Sequence, residues 1–438
     1  MATTSVSALP VPRPVRRLTD LTDPAKNRLY NMSVEEARRR LAEGSPGDVR
    51  GIDGSFALAA ARGKTVRLAR SIDRPLRYFL AKQADGPLLV VADRIDRILE
   101  YLRALGLAEQ FHPSYTRMVP AHYVVEIRLV GCPDPDPMYR RYFEPVRNAL
   151  PPDTGEIGRL YVGALAEEIR KWLETLPPAE PIGVCFSGGV DSGAVLLVTE
   201  HVLRAQGGSP ARLKAFTLSA RGGADLEQAR RFLTSVGRAF YLEAIEADPE
   251  SLDPRETVRV VEDYKPLDVE SATMALALCR GIRKRYPAWR HLADGDGGDE
   301  NLKDYPIEEN PDLTIRSVLN NPLLYQEGWG VGSIKHSLTY SGGQSRSSTR
   351  TYAPLARYGF EGFSPFTRPG VIEVAEAIPF VALTGWSAER LYALKGEIVS
   401  RGVAALTGVR MPVFAKRRFQ HGVLPEPGPL PAAGSESD

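Results

Sequence analysis

FSGGVDSG, Phe186 to Gly193, lies between two apolar runs of different character. Upstream, PIGVCF (Pro181–Phe186) reads as a buried strand, and downstream AVLLVTEHVLRAQ (Ala194–Gln206) has the length and spacing of a helix. A tight turn with a helix cap accounts for Asp191 or Ser192 taken alone. The whole arrangement suits an anion better. Unpaired backbone N–H groups and the helix dipole face the joint, and glycines admit phosphate oxygens to the backbone. The lysine of GxxxxGK[ST] is missing, so the joint is not the usual kinase or GTPase cradle. An aspartate inside such a nest makes chemical sense if it holds a divalent cation that bridges phosphates.

Beyond the joint, strands and helices alternate. LKAFTLSA (213–220), DLEQARRFLTSVG (225–237), AFYLEAIE (239–246), ESATMALALCRGIRKR (270–285) and WRHLADG (289–295) follow in that rhythm. The alternation predicts a parallel sheet with helices on both faces, and ligands beyond the carboxyl ends of its strands. The last of these strands runs into ADGDGGDEN (Ala293–Asn301), where Asp294, Asp296, Asp299 and Glu300 are interleaved with glycines. EF-hand spacing is absent, and a solvated acidic turn is the plain alternative. Two strand-end loops that each offer an aspartate could together hold Mg²⁺ on the pyrophosphate of a nucleotide.

The rest of the chain narrows the function classes. At 438 residues it is long enough for two or three domains. A formal net charge of +2 gives no reason to expect nucleic acid or an anionic membrane as partner. Cys132, Cys185 and Cys279 form no CxxC pair, which argues against a disulfide framework or zinc site and fits a reducing cytoplasm. No apolar run is long enough to cross a bilayer. The expected layout is a disordered arm at 1–20, a small α+β domain at 21–145, the parallel-sheet domain at 150–424 and a disordered tail at 425–438. Within the small domain, the residues around ARGK (61–64) suggest a hairpin, PLRYFLAK, PLLVVAD and HYVVEIRLVG read as strands, and DRILEYLRALGL reads as a helix.

SGGVDS and GDGGDE resemble the two phosphate-site loops of the asparagine synthetase and β-lactam synthetase family of ATP pyrophosphatases, SGGxDS and GxGxDE. GFEGFSPFTRPGVIEVAEAIP (359–379) is similar to that family's GVEARVPFLD segment, and KRRFQHGV (416–423) to its KxxFxxGV ending. The four segments stand in the right order over roughly half the chain. The resemblance implies an α/β ATP-pyrophosphatase fold of the adenine nucleotide alpha hydrolase type, with ATP and Mg²⁺ as cofactors. It implies that Ser187, Gly188, Gly189, Asp191 and Ser192 cradle pyrophosphate, and that Asp191 and Asp299 ligate Mg²⁺. Leu218, Asp294 and Gly295 would line the adenosine pocket. Glu361 would help the incoming amine lose its proton, while Lys416 and Lys395 would serve the reaction as cations, Lys416 at the pyrophosphate.

Residues 53–80 are similar to the later part of that family's glutamine amidotransferase domain. Ala2 stands where glutamine-using members carry a cysteine nucleophile, and the RGPD and NGE glutamine-binding segments are absent. A degenerate amidotransferase-like domain without glutaminase activity is therefore expected. After GDGGDE the chain reads NLKDY, unlike the family, and residues 306–351 match nothing in it. Substrate recognition is expected there. The resulting expectation is a cytoplasmic, AMP- and pyrophosphate-forming amide ligase. It would adenylate a small-molecule or peptide carboxylate and join it to ammonia or to an amine of the same or another molecule, with a homo-oligomer as one expected form. A non-catalytic partner protein, or a related pyrophosphatase with another nucleophile, is the alternative.

Overall fold

Ala57–Arg62 and Thr65–Arg70 pair antiparallel across a two-residue loop, with Arg62 opposite Thr65. Gly63 takes φ +60°, the hand that tight hairpin turns need, so the expected hairpin forms. The computed structural model describes residues 17–130, 136–219, 223–247, 253–263, 266–305, 307–309, 314–321 and 348–414. These residues form two compact units that divide between Glu144 and Pro145.

In the first unit the strands are β1 (Leu18–Asp20), β2 (Arg28–Leu29), β3 (Gly54–Ser55), β4 (Ala57–Arg62), β5 (Thr65–Arg70), β6 (Arg77–Ala81), β7 (Leu88–Ala92), β8 (Arg117–Met118), β9 (Tyr123–Arg128) and β10 (Met138–Arg141). The helices are α1 (Val34–Glu43), α2 (Pro46–Arg50) and α3 (Ile95–Ala104). Two four-stranded sheets form, ordered β1-β7-β6-β8 and β10-β9-β5-β4, beside a β2-β3 ribbon. Val66, Leu68, Val125 and Ile127 of one sheet pack on Leu76, Tyr78, Leu89 and Val91 of the other. Phe79, Val90 and Ala92 point to the opposite face, where Ile98 and Leu102 of α3 cover them. The period-two alternation of these strands supplies both layers.

The second unit opens with α4 (Thr154–Glu174) and continues through β11 (Ile182–Cys185), α5 (Val190–Ala205), β12 (Leu213–Ser219), α6 (Ala224–Ser235) and β13 (Leu242–Glu246). Then come α7 (Pro254–Val261), α8 (Pro266–Arg285), β14 (His291–Ala293), α9 (Gly298–Leu302) and α10 (Ile315–Asn320). The last described elements are α11 (Ala353–Arg357), β15 (Glu361–Phe363), α12 (Pro369–Glu376), α13 (Phe380–Thr384) and α14 (Ala388–Thr407). The sheet is five-stranded, ordered β13-β12-β11-β14-β15, and every pairing in it is parallel. The chain lays strands to one side of β11 and then returns to the other side with β14. The crevice between the carboxyl ends of β11 and β14 is thus the point where strand order reverses, which is where open α/β sheets hold ligands.

Helices α4, α5 and α14 cover one face through Tyr161, Leu165, Val195, Leu394 and Ile398. Helix α8 covers the other face, with Leu278, Cys279 and Ile282 packed on Phe216, Leu218 and Ile245. Glycine sets how closely α4 and α14 approach. A Cβ on Gly158 would lie 2.5 Å from the Ile398 carbonyl oxygen and 2.9 Å from the Gly402 nitrogen. A Cβ on Gly163 of the same helix would meet nothing within 4 Å. Gly158→Ala is therefore expected to destabilise the protein by about 1–3 kcal/mol through overpacking. Gly163→Ala should be neutral, or stabilising by up to about 1 kcal/mol from helix propensity. Thermal or urea melts of the two variants check this, and equal behaviour would show that α4 and α14 do not pack through this glycine.

Candidate functional site

The loop 186–193 is short because α5 begins inside it. Helical geometry starts at Val190, four residues before the apolar run that marks the helix in the sequence. Gly188 permits this with φ +74°, and a Cβ there would lie 2.9 Å from the Ala229 backbone of α6. Gly189 is the cap residue and carries no side chain to satisfy the first-turn N–H groups. Ser187 and Ser192 close the loop with hydroxyls 3.3 Å apart, and the Gly189 N–H donates to Ser187 Oγ at 3.3 Å. The result is a hydroxyl-rimmed helix N-terminus, with Asp191 and Ser192 in its first turn.

The second loop lies directly against the first. A Cβ on Gly295 would lie 2.8 Å from the Ser192 nitrogen and 2.9 Å from Asp191 Cβ, and one on Gly298 would overlap the Asp191 carboxylate. Glycine at these positions lets two backbones meet across the β11–β14 crevice. The contact is cationic. Lys395 of α14 donates from Nζ to Asp191 Oδ2 at 2.5 Å and also to Asp299 Oδ1. Asp304 Oδ2 stands 3.4 Å from the same nitrogen. Burial alone would depress the Lys395 amine, but Asp191, Asp299 and Asp304 outweigh it and hold the ammonium well above its ordinary range. A raised amine pKa stabilises the fold below that pKa, so this charge is in place throughout the neutral range.

Asp191, Asp299 and Asp304 thus gather around one ammonium in the crevice. Among the described residues no three His, Cys, Asp or Glu side chains converge as a metal cage. A Mg²⁺ site on a nucleotide needs only one or two carboxylates, the phosphates supplying the rest. Asp191 and Asp299 both reach one nitrogen, so their oxygens are close enough for a single cation to bridge. The donor set suits Mg²⁺.

Asp294 and Asp296 form a second acidic pair at the end of β14. Asp294 Oδ1 accepts from Ser364 Oγ at 2.7 Å and from the Asp296 N–H at 2.9 Å. Thr351 Oγ1 donates to Asp296 Oδ2. Burial pushes the Asp294 carboxyl well above the usual carboxylate range, and the neighbouring Asp296 adds to the shift. Burial also pushes Asp296 up to about 6, against the pull of the Thr351 hydroxyl and Arg350. Helix α9 is anchored behind them, where Asn301 Nδ2 donates to the Phe366 carbonyl at 2.8 Å and to Tyr161 Oη at 3.2 Å.

Ser187, Gly188, Gly189, Asp191, Ser192, Asp294, Gly295, Asp299 and Lys395 are thus brought to one edge of the sheet. Leu218 sits near the end of β12, with its side chain buried in the core at 1% exposure. Lys416 lies outside the described residues. Glu361 does not join the group. It starts β15 and pairs with His291, the first residue of β14, so it lies at the amino end of the sheet. Its carboxylate faces His291 Nδ1 at 3.3 Å and Arg290 at 3.4 Å. Ser364 is the residue that follows β15 to the carboxyl edge. Thr351 and Asp304 carry no motif signal, and Ser364 lies in the 359–379 segment without a role assigned to it. Asp296 stood in view among the loop acids without a role.

Residues 175–380 match the asparagine synthase family. That segment holds the whole parallel sheet and both loops, and ends before Lys395. No curated protein matches the chain. Among the described residues no helix is long and apolar enough to cross a membrane.

If Lys395 and a divalent cation share the same carboxylates, removing the lysine should expose that competition. Lys395→Met is expected to cost about 3–5 kcal/mol, because it strands buried acids. Added Mg²⁺ should recover more melting temperature in the variant than in the parent protein. A variant that melts like the parent, or equal Mg²⁺ responses in both, would refute the shared site.

Proposed function

We propose that the protein is an ATP-dependent ligase that activates a substrate carboxylate as its acyl-adenylate and transfers the acyl group to ammonia or an amine. One observation carries this reading. Two glycine-rich loops from adjacent strand ends bring Asp191 and Asp299 onto a single cation beside a bare helix N-terminus. The asparagine synthase match of the same segment supports amide ligation at the family level.

In this reading the first-turn N–H groups of α5, with Ser187, Gly188, Gly189 and Ser192, hold the departing pyrophosphate. Bound at Asp191 and Asp299, Mg²⁺ would offset charge on that leaving group. Lys395 supplies a fixed positive charge from within the protein. Lys416 is assigned to the pyrophosphate as well, and Leu218, Asp294 and Gly295 to the adenosine. An amine must lose a proton as it attacks the acyl group, and a carboxyl near neutrality at the same edge can take it. Asp296 meets that requirement, and Glu361, at the far end of the sheet, does not. Burial and Asp296 also push the neighbouring Asp294 well above the usual carboxylate range, so the two acids compete for charge at this edge.

Exchange of labelled pyrophosphate into ATP, run with a panel of amino-acid, peptide and natural-product acids, tests the adenylation half. At least one acid should support exchange, and Asp191→Asn should lower it by about a hundredfold or more. Exchange with none of them would refute the ligase reading.

The second half is tested with an exchange-competent acid and ammonia. Asp296→Asn should keep exchange and lose amide formation by about a hundredfold or more. A base works only when ionised, so amide formation in the parent should rise with pH through about 6 and then level. Glu361→Gln should follow the parent in both halves. Loss of amide formation in Glu361→Gln alone would return the base to that residue.

A further inference from the structure

Ser348–Tyr352 forms a single π-helical turn immediately before α11. Such turns are rare and concentrate at functional sites, because the extra residue fans neighbouring side chains apart. Here three consecutive residues reach three different elements. Arg350 Nε donates to Asp268 Oδ1 of α8 at 2.9 Å, and Asp268 is buried. Thr351 Oγ1 donates to Asp296 Oδ2. Tyr352 Oη accepts from the Ser364 N–H at 2.8 Å.

These contacts close a ring. Thr351 binds Asp296, the Asp296 N–H binds Asp294 Oδ1, Ser364 Oγ binds the same oxygen, and the Ser364 N–H binds Tyr352. Tyr352 then returns to Thr351 through the chain. The ring holds the Asp296 carboxylate from the turn through Thr351, and the Asp296 backbone N–H through Asp294, which Ser364 anchors from the β15 end. A hydroxyl can rotate to donate, and a carboxylate accepts better when ionised, so Thr351 favours the charged form.

We propose that Thr351 is the positioning residue of the proton acceptor Asp296, holding its carboxylate oriented and ionised through a π-turn tied to α8 and to the end of β15. The proposal rests on the assignment of Asp296 in the ligase reading. Thr351 contacts Asp296 and also reaches the neighbouring Asp294, and no reacting atom is assigned to it. The charged and titratable groups that face Asp296 are Asp294 in its own loop, Cys185 at the end of β11, Asp299 and Glu300 of α9, and Arg350 of the turn. A substitution at Thr351 removes none of these groups. Val has nearly the shape of Thr without the hydroxyl, and Ser keeps the hydroxyl without the methyl.

The test is a carbon-13 carboxyl titration of the full chain labelled at aspartate, which needs no substrate. The Asp296 resonance is assigned by its loss in Asp296→Asn. Thr351→Val should raise the Asp296 midpoint by about one pH unit, roughly a tenfold change in ionisation, and Thr351→Ser should restore it. With an acid that supports exchange, Thr351→Val should shift the acid limb of amide formation upward by the same amount. Pyrophosphate exchange at pH 8 should stay within about twofold. An unmoved midpoint in Thr351→Val, or a serine variant that behaves like valine, would overturn the role of Thr351. Should Thr351→Val fail to fold, Thr351→Ala carries the same expectation and the same refutation. A shifted midpoint together with full amide formation in Asp296→Asn would instead leave the ring intact and remove the assignment of Asp296 as acceptor.

Discussion

The ammonium of Lys395 is the interaction on which the site depends. Asp191 enters from the β11 side of the crevice and Asp299 from the β14 side, and like charges at that distance repel in a buried setting. One nitrogen placed between them turns the repulsion into attachment. Because Lys395 belongs to α14, the same contact ties that helix to the loops. The Gly158–Gly402 approach to α4 then fixes how deeply α14 sits. Backbone closeness at one end of the helix layer and charge at the other therefore position the same side chain.

The topology explains why the loops meet at all. A parallel sheet ordered β13-β12-β11-β14-β15 has one place where connections leave in opposite directions, and loops there have room that neighbouring loops lack. Glycine at 188, 295 and 298 uses that room to bring backbones together rather than to leave space open. A methyl group at any of the three would push against helix α6 or Asp191. The glycines are thus a packing requirement first and an opening for phosphate second.

Much of this was legible in the residues and some was not, for physical reasons. The phosphate loop and the acidic loop announce themselves by composition at strand ends, and strand–helix alternation gives the parallel sheet. β15 spans three residues, too few for a periodic signal, so nothing local shows that Glu361 opens a strand. The fold places it at the amino edge, opposite His291. The start of α5 was masked in a similar way, because glycine at the cap and polar residues in the first turn imitate a loop. Thr351, Ser364 and Asp304 act only through tertiary neighbours far away in the chain. No local pattern marks such residues. Resemblance implies Lys395, Asp191 and Asp299 separately, but nothing local joins the lysine to these acids or to Asp304.

Two acids beside each other at the end of β14 need not behave alike, and their surroundings separate them. Asp294 is 5% exposed, and its Oδ1 accepts two hydrogen bonds from neutral groups. Neutral donors offset only part of the desolvation of a charge, so burial pushes this carboxyl well above the usual range. Asp296 has a hydroxyl on one oxygen and Arg350 nearby, and its shift stops near neutrality. Were both ionised, two adjacent buried carboxylates would repel each other. Were both protonated, neither member of the pair could accept a proton. The ring through Thr351 and Ser364 resolves that conflict by giving each acid its own donor. Proton acceptance and fold stability thereby draw on the same four hydrogen bonds, so the pair cannot be relaxed at one acid without moving the other.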